Sequence, residues 1–292
     1  MPELPEVETM RRGVDCVVGS RIDSIERPPC PRKPISIKPA FGKLRRRIVG
    51  QRIERTGRAG KRVVLWLESG DALLFEPRMT GLVLLVDPPT EEHLRLRLRL
   101  SGGKTKPRNP KELLYWDRRG LGNVHLLSAK AFQQAYGLQK LGPDALDISA
   151  EEFAERLGNS SRMIKVALLD QKAVAGIGNL YAAEILHVAG IHPERQCHRM
   201  STKQWEALTA ATHAVLAEAI KYEGSTLNDG TYRNALNKQG GYQNEHRVYN
   251  RAGQACPRCG GEILRKVHTQ RSTFFCNRCQ TKRGAILVAQ VE

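Results

Sequence analysis

The 292-residue chain carries 47 Lys+Arg against 30 Asp+Glu, a formal net charge of +17. That excess points to a polyanionic partner, nucleic acid first, because every phosphate neutralised releases counterions. No apolar run is long enough to span a membrane and no signal-peptide pattern opens the chain, so membrane and secretory classes are set aside.

In chain order, Pro2-Glu3-Leu4-Pro5-Glu6-Val7-Glu8 predicts a helix with Pro5 in its first turn. Glu6 and Glu8 lie at the positive end of its dipole, Arg11 and Arg12 near the other end, and Val7, Met10 and Val14 share one face. If Met1 is removed, Pro2 becomes a secondary amine beside a carboxylate, the equipment for imine chemistry at a sugar or carbonyl carbon. Taken alone, the stretch reads first as the Pro-flanked capped helix with which many soluble proteins begin. Strand-like runs follow at Ser20–Glu26, Ile48–Glu54, Arg62–Glu68, Ala72–Glu76, Leu82–Val86, His93–Leu100 and Val124–Leu127, with an irregular Pro28–Pro39 connection. Short strands separated by turn residues predict a β-sandwich or barrel. Arg95, Arg97 and Arg99 alternate with leucines and read as a solvated strand face. Gly102–Lys111 reads as a basic, mobile loop.

From about Gly142 the period becomes helical. Ser149 with Glu152, and Ser201 with Gln204, form capping boxes. Met163–Leu169 predicts another helix, and Gly176-Ile177-Gly178-Asn179 opens a further one. That turn is either a phosphate-binding helix start or a tight turn with Asn179 as N-cap. Thr226–Gln243 is a polar, Gly- and Asn-rich loop. The expected division is 1–140, 141–245 and 246–292, an α+β multidomain chain.

Cys256-Pro-Arg-Cys259 and Cys276-Asn-Arg-Cys279 supply four thiolates for one tetrahedral, structural zinc. The other cysteines are scattered, which suits a reducing, cytoplasmic setting. Glu262–His268 and Ser272–Phe275 predict a hairpin between the pairs, turning at Thr269-Gln270-Arg271. Basic residues that include Lys282 and Arg283 surround it.

These motifs occur together and in order with Lys61 after Ala59-Gly60, Met79-Thr80-Gly81 and Gly190-Ile191-His192-Pro193. The chain resembles the formamidopyrimidine-DNA glycosylase family over nearly its whole length. The resemblance implies a leading helix on a β-sandwich, a helix–two-turn–helix domain and a C-terminal zinc finger. It also implies a monomeric, nucleoid-associated bacterial repair enzyme acting on duplex DNA with a damaged base or abasic site. By the same resemblance Pro2 is the nucleophile at C1′, Glu3 the acid that protonates the sugar oxygen, and Glu6 a supporting carboxylate. Lys61 contacts phosphates and assists strand cleavage, Asn179 binds phosphate, and Arg271 holds flanking phosphates for the second elimination. Met79 and Arg119 match two members of the trio that fills the gap left by an extruded nucleotide.

The departures from the family pattern are specific. Leu121 stands where a wedging Phe is usual, and leucine can still wedge. Glu76 stands where a phosphate-contacting His is usual. His93 matches another DNA contact, and Arg162 matches a basic contact displaced by one residue. The primary expectation is a bifunctional glycosylase and abasic-site lyase acting on oxidised purines by β/δ elimination. Its alternatives are an endonuclease VIII-like preference for oxidised pyrimidines, a non-catalytic DNA-binding relative, and, more remotely, a zinc-ribbon RNA-binding protein.

Overall fold

The first helix, α1 (Leu4–Gly13), forms where Pro5 fits the opening turn and Glu6 reaches back to the capping backbone. Its apolar positions Leu4, Val7 and Met10 are fully buried. The computed structural model describes residues 2–103, 110–137, 139–227 and 229–281. Most of the basic loop Gly102–Lys111, together with Lys282 and Arg283, lies outside them. Among the described residues no helix is long and apolar enough to cross a membrane.

The chain packs as two units. The first takes residues up to Lys140 together with Ile220–Gln243, and the second takes Leu141–Ala219 with the chain from Asn244 onward. The polar loop thus packs with the first unit, and the finger shares a unit with the helices.

In the first unit one sheet contains β1 (Arg21–Glu26), β6 (Gly81–Leu84), β7 (Leu94–Ser101) and β8 (Glu112–Asp117), in the order β1-β7-β8-β6. The other contains β2 (Ser36–Lys38), β3 (Ile53–Arg58), β4 (Val63–Leu67), β5 (Ala72–Glu76) and β9 (Asn123–Leu127), in the order β2-β9-β5-β4-β3. Only β2 on β9 is parallel among these pairs. Inward-facing Leu, Ile and Val from both sheets share one core with α1, the expected sandwich.

Several elements depart from the sequence reading, and β2 lies inside the Pro28–Pro39 connection read as irregular. Ile48 ends a helix, α2 (Phe41–Ile48), and does not begin a strand; Leu44 and Ile48 bury one face while Arg45–Arg47 stay outside the core. The strand β8 and the helix α3 (Ala129–Tyr136) fall where no element was expected. Arg95 is 3% exposed and not solvated, because a bulge between Leu94 and Leu96 turns it inward.

In the second unit both capping boxes form, ahead of α4 (Ala150–Leu157) and α7 (Thr202–Lys221). Between them lie α5 (Ile164–Ala167) and α6 (Asn179–Val188). The hairpin of β10 (Ile263–His268) and β11 (Arg271–Cys276) follows.

Candidate functional site

In the first unit the front of α1 is braced from inside. Pro2 and Glu3 are buried. Glu6, 3% exposed, accepts the Glu3 backbone N–H through Oε2 and the Ser225 N–H through Oε1, both at 2.8 Å. Two amides on one carboxylate compensate its burial. They also tie the start of α1 to Ser225, which directly precedes the polar loop and is 219 residues from Glu6. Glu6, carried over as a supporting carboxylate and grouped with the DNA-binding residues, is buried here and engaged with these two amides. Gly224 has φ +79°, and a Cβ there would lie 2.9 Å from the Glu6 side chain, so only glycine fits. Beside it Tyr232 donates to the Glu223 carbonyl at 2.9 Å, and burial, then the Glu6 charge, push its phenol well above the ordinary range.

Lys61 lies in the turn between β3 and β4. Arg58 fixes that turn against α1, pairing with Glu8 at 3.2 Å while donating to the Gly60 carbonyl at 3.0 Å. Glu8 also receives Arg11 and Arg12 at 2.9 and 2.8 Å. Burial alone would raise the Glu8 carboxyl, but the two guanidinium hydrogen bonds hold it below its usual value.

Met79 and the Arg118–Gly122 loop are brought together by one buried carboxylate. Asp117 accepts the Thr80 hydroxyl at 2.5 Å, the Arg119 N–H at 3.1 Å and the Gly122 N–H at 2.8 Å. Arg95 supports the loop from beneath, donating to the Asp117 carbonyl at 2.8 Å. Gly120, with φ +63°, lies so close to the Lys33 carbonyl that any Cβ would collide with it. The result presents Arg119 on the surface, leaves Leu121 half-buried and keeps Met79 38% exposed.

Glu76 is not an isolated negative charge. It pairs with Arg62 at 3.1 Å and Arg78 at 2.9 Å, and accepts from Asn123 at 3.1 Å. The two arginines more than offset it, so the local field stays positive. Arg78 has φ +53°, a strained backbone for a non-glycine residue, immediately before Met79. His93, by contrast, is 9% exposed and packs edge-on against Trp116, so its ring is largely covered.

In the second unit Gly178, not Asn179, is the N-cap, and Asn179 is the first residue of α6. Gln171 scaffolds the turn, accepting the Gly176 N–H at 3.0 Å and donating to the Ile177 carbonyl at 2.9 Å. Lys165, 1% exposed, donates to Asn179 Oδ1 at 2.7 Å and to its carbonyl at 3.1 Å. The Asn179 amide donates in turn to the Ser272 carbonyl of the hairpin at 2.9 Å. Sequence reading missed Lys165; its signal was a lone lysine inside the apolar run Met163–Leu169. Arg162 is exposed and engaged with Asp170 at 3.0 Å and Ser160 at 3.1 Å.

The hairpin tip is a two-residue turn. Thr269 and Gln270 both have positive φ, 46° and 62°, and His268 pairs with Arg271. Such turns favour Asn-Gly, so Thr-Gln is a strained choice where Arg271 is displayed. Arg271 itself is exposed. Glu194 holds the hairpin's side, pairing with Lys266 at 2.9 Å and meeting His268 Nε2 at 3.2 Å.

The four finger cysteines meet within 4.8 Å of one another, with Sγ pairs at 3.8 Å for Cys256–Cys279 and 3.4 Å for Cys259–Cys276. A tetrahedral zinc at about 2.3 Å from each sulfur needs sulfurs roughly 3.8 Å apart, so the donor set fits one structural ion with no open position.

Three family models match in order. They are the formamidopyrimidine-DNA glycosylase N-terminal domain over 1–124, the H2TH domain of the same enzymes over 141–231, and the zinc finger found in FPG and IleRS over 253–282. A formamidopyrimidine-DNA glycosylase of Chloroflexus aggregans is 40% identical over 286 residues, 96% of this chain and 98% of the relative. Among solved structures, Lactococcus lactis Fpg bound to abasic-site DNA superposes with a TM-score of 0.82 at 33% identity, covering 96% of this chain and 100% of that one. The MutM (Fpg) protein of Thermus thermophilus gives 0.81 at 34% identity, covering 96% of this chain and 98% of that one.

Proposed function

Since the chain belongs to the formamidopyrimidine-DNA glycosylase family of DNA-repair glycosylases with abasic-site lyase activity, we propose that Pro2 is its nucleophile and oxidised purines its substrates. The chemistry requires removal of Met1, which turns the Pro2 nitrogen from an amide into a free amine. A free α-amine titrates near roughly 8, so an appreciable neutral fraction exists at neutral pH. Its lone pair attacks C1′ as the C1′–N bond to the base breaks, and the base leaves with the bonding pair and takes up the proton lost from the Pro2 nitrogen. Glu3 then protonates the sugar oxygen as the C1′–O4′ bond opens to the iminium. The resulting iminium acidifies the C2′ proton, whose loss expels the 3′ phosphate, and a second elimination expels the 5′ phosphate. Lys61 and Arg271 hold those phosphates. Met79, Arg119 and Leu121 fill the space left by the extruded nucleotide, offsetting a stacking cost of a few kcal/mol. Asn179, locked by Lys165 at a helix start, binds the backbone. A monomer carries all of these groups on one chain.

The observation that carries this reading is the buried Pro2-Glu3 front, whose Glu3 N–H is held by one oxygen of Glu6 while the other oxygen is anchored by the Ser225 N–H. Borohydride added during turnover should reduce the iminium and leave a covalent protein–DNA adduct that maps to Pro2. Duplexes with formamidopyrimidine, 8-oxoguanine and thymine glycol, run side by side, rank the substrates. A protein acetylated at its N-terminus should give no adduct. Absence of an adduct with all three lesions, or an adduct surviving acetylation, would sink the Pro2 assignment; fastest excision of thymine glycol would transfer the preference to pyrimidines.

A further inference from the structure

The last turn of α6 carries a histidine with no part in the chemistry above. His187 is 1% exposed, and its Nε2 lies 3.3 Å from Sγ of Cys256, 69 residues away in the chain. Its Nδ1 has no hydrogen-bond partner among the described residues. We propose that His187 is a positioning residue for the metal site, donating a hydrogen bond from Nε2–H to the zinc-bound Cys256 thiolate and making α6 part of the zinc centre.

The chemistry of the contact fixes its direction. A metal-bound thiolate has no proton to give, so the ring must be the donor. Nε2 is the ring nitrogen that lies against the sulfur, so the donated proton sits there. Four thiolates around one Zn2+ leave two excess negative charges, and donors to sulfur disperse that charge. Cys259 receives such a donor from within the finger, the Gly261 N–H at 3.4 Å. Cys256 receives its donor from a helix outside the finger.

The rest of α6 is built to hold that helix in register with the finger. Glu184, fully buried, accepts the N–H groups of Arg247, Val248 and Tyr249 at 2.8–2.9 Å. Arg258 donates to the Val188 carbonyl at 2.9 Å. The same helix begins at Asn179, which bonds the hairpin through Ser272. Metal at one end and the phosphate-binding asparagine at the other are therefore joined by a single rigid element.

Zinc stoichiometry of the wild-type chain comes first, because a protein holding no zinc would overturn the metal reading itself. Zinc transfer from the full chain to a chromophoric chelator then tests the donor. Loss of an outer-shell hydrogen bond lowers metal affinity by about 10–100-fold, so His187→Phe should release zinc faster by that order, and His187→Gln, whose amide keeps a donor, should recover most of the loss. Ile185→Val, a buried trimming on the same helix, should release at the wild-type rate and separates donor loss from general loosening. In cobalt-substituted protein the sulfur-to-metal charge-transfer band should shift in His187→Phe and not in Ile185→Val. Wild-type release from His187→Phe with an unshifted band, or equal leakage from the Phe, Gln and Val variants, would overturn the proposal.

Discussion

The two units position functional groups by different physical means. In the first, a two-sheet core sets the frame, and buried carboxylates fix the working loops: Glu6 behind Pro2 and Glu3, and Asp117 beneath Met79 and Arg119. In the finger region of the second, the buried cluster is small, Cys256, Cys276 and Cys279 are three of its members, and Cys259 packs half-buried against it. A small cluster cannot carry such a module, so the metal must supply what the core does not. Internal anions organise one surface, and a bound cation organises the other.

The largest expected effect separates the two directly. Structural zinc contributes roughly 10–16 kcal/mol to the fold that binds it, against about 5–15 kcal/mol for a whole domain. Chelation should therefore abolish hydrogen-exchange protection over 253–281 and leave the sandwich strands protected. Retained protection in β10 and β11 without metal would show that core packing suffices there. On the other side, Glu6→Ala removes the acceptor of the Glu3 and Ser225 amides, and a buried amide that loses its acceptor costs about 1–3 kcal/mol. Urea unfolding of the first unit should show a loss of roughly 2–6 kcal/mol, with the finger's zinc affinity unchanged. Glu6→Gln, which keeps one acceptor oxygen, should lose less; equal losses would mean that the second amide is satisfied some other way.

These contrasts also explain what was legible in the sequence. Capping boxes at Ser149 and Ser201, the cysteine pairs and the hairpin are local, with their partners a few residues apart, and all were readable. Helix α2 was readable in principle, since Leu44 and Ile48 are four apart, but its three consecutive arginines hide a two-residue apolar face. Arg95 was misread because a bulge breaks the alternation that sent it outward. Lys165, Glu184 and the brace made by Glu6 depend on partners 14, 63–65 and 219 residues away. No periodicity records a long-range hydrogen bond, so these residues became visible only once the chain was folded. The packing of 220–243 with the first unit was likewise not legible.

Acid should distinguish the units more gently. His246 in the second unit is pushed down to about 4 by burial and then by Arg251. Below its ordinary 6.5 the unfolded chain takes up a proton that the folded one refuses. The contribution of His246 to the second unit's stability should then fall by about 1.4 kcal/mol per pH unit between roughly 6.5 and 4. Glu8 in the first unit has the opposite chemistry. Its folded value lies below 4.5, so its stabilising contribution is complete above that pH and is lost only as pH falls through the folded value. Segment-resolved hydrogen exchange at about pH 7, 5.5 and 4.5 should show the second unit weakening first. Simultaneous weakening, or earlier loss in the sandwich, would remove His246 as the cause.

The smallest effect concerns the exposed tip of the hairpin, where neither buried anion nor metal is touched. Arg271 is solvent-facing, so Arg271→Ala should leave stability and zinc affinity essentially unchanged. If its guanidinium meets one phosphate, the dependence of DNA binding on salt should fall by about one unit of logarithmic slope, on undamaged and abasic duplexes alike. The turn supplies a second handle. Thr269 and Gln270 both occupy left-handed backbone, and an Asn-Gly pair there should relieve strain and stabilise the hairpin. If that double substitution stabilises the finger yet slows strand cleavage at saturating DNA, the strain serves the placement of Arg271. If cleavage is unaffected, the left-handed turn is a tolerated accident of sequence, and Arg271 acts through its charge alone.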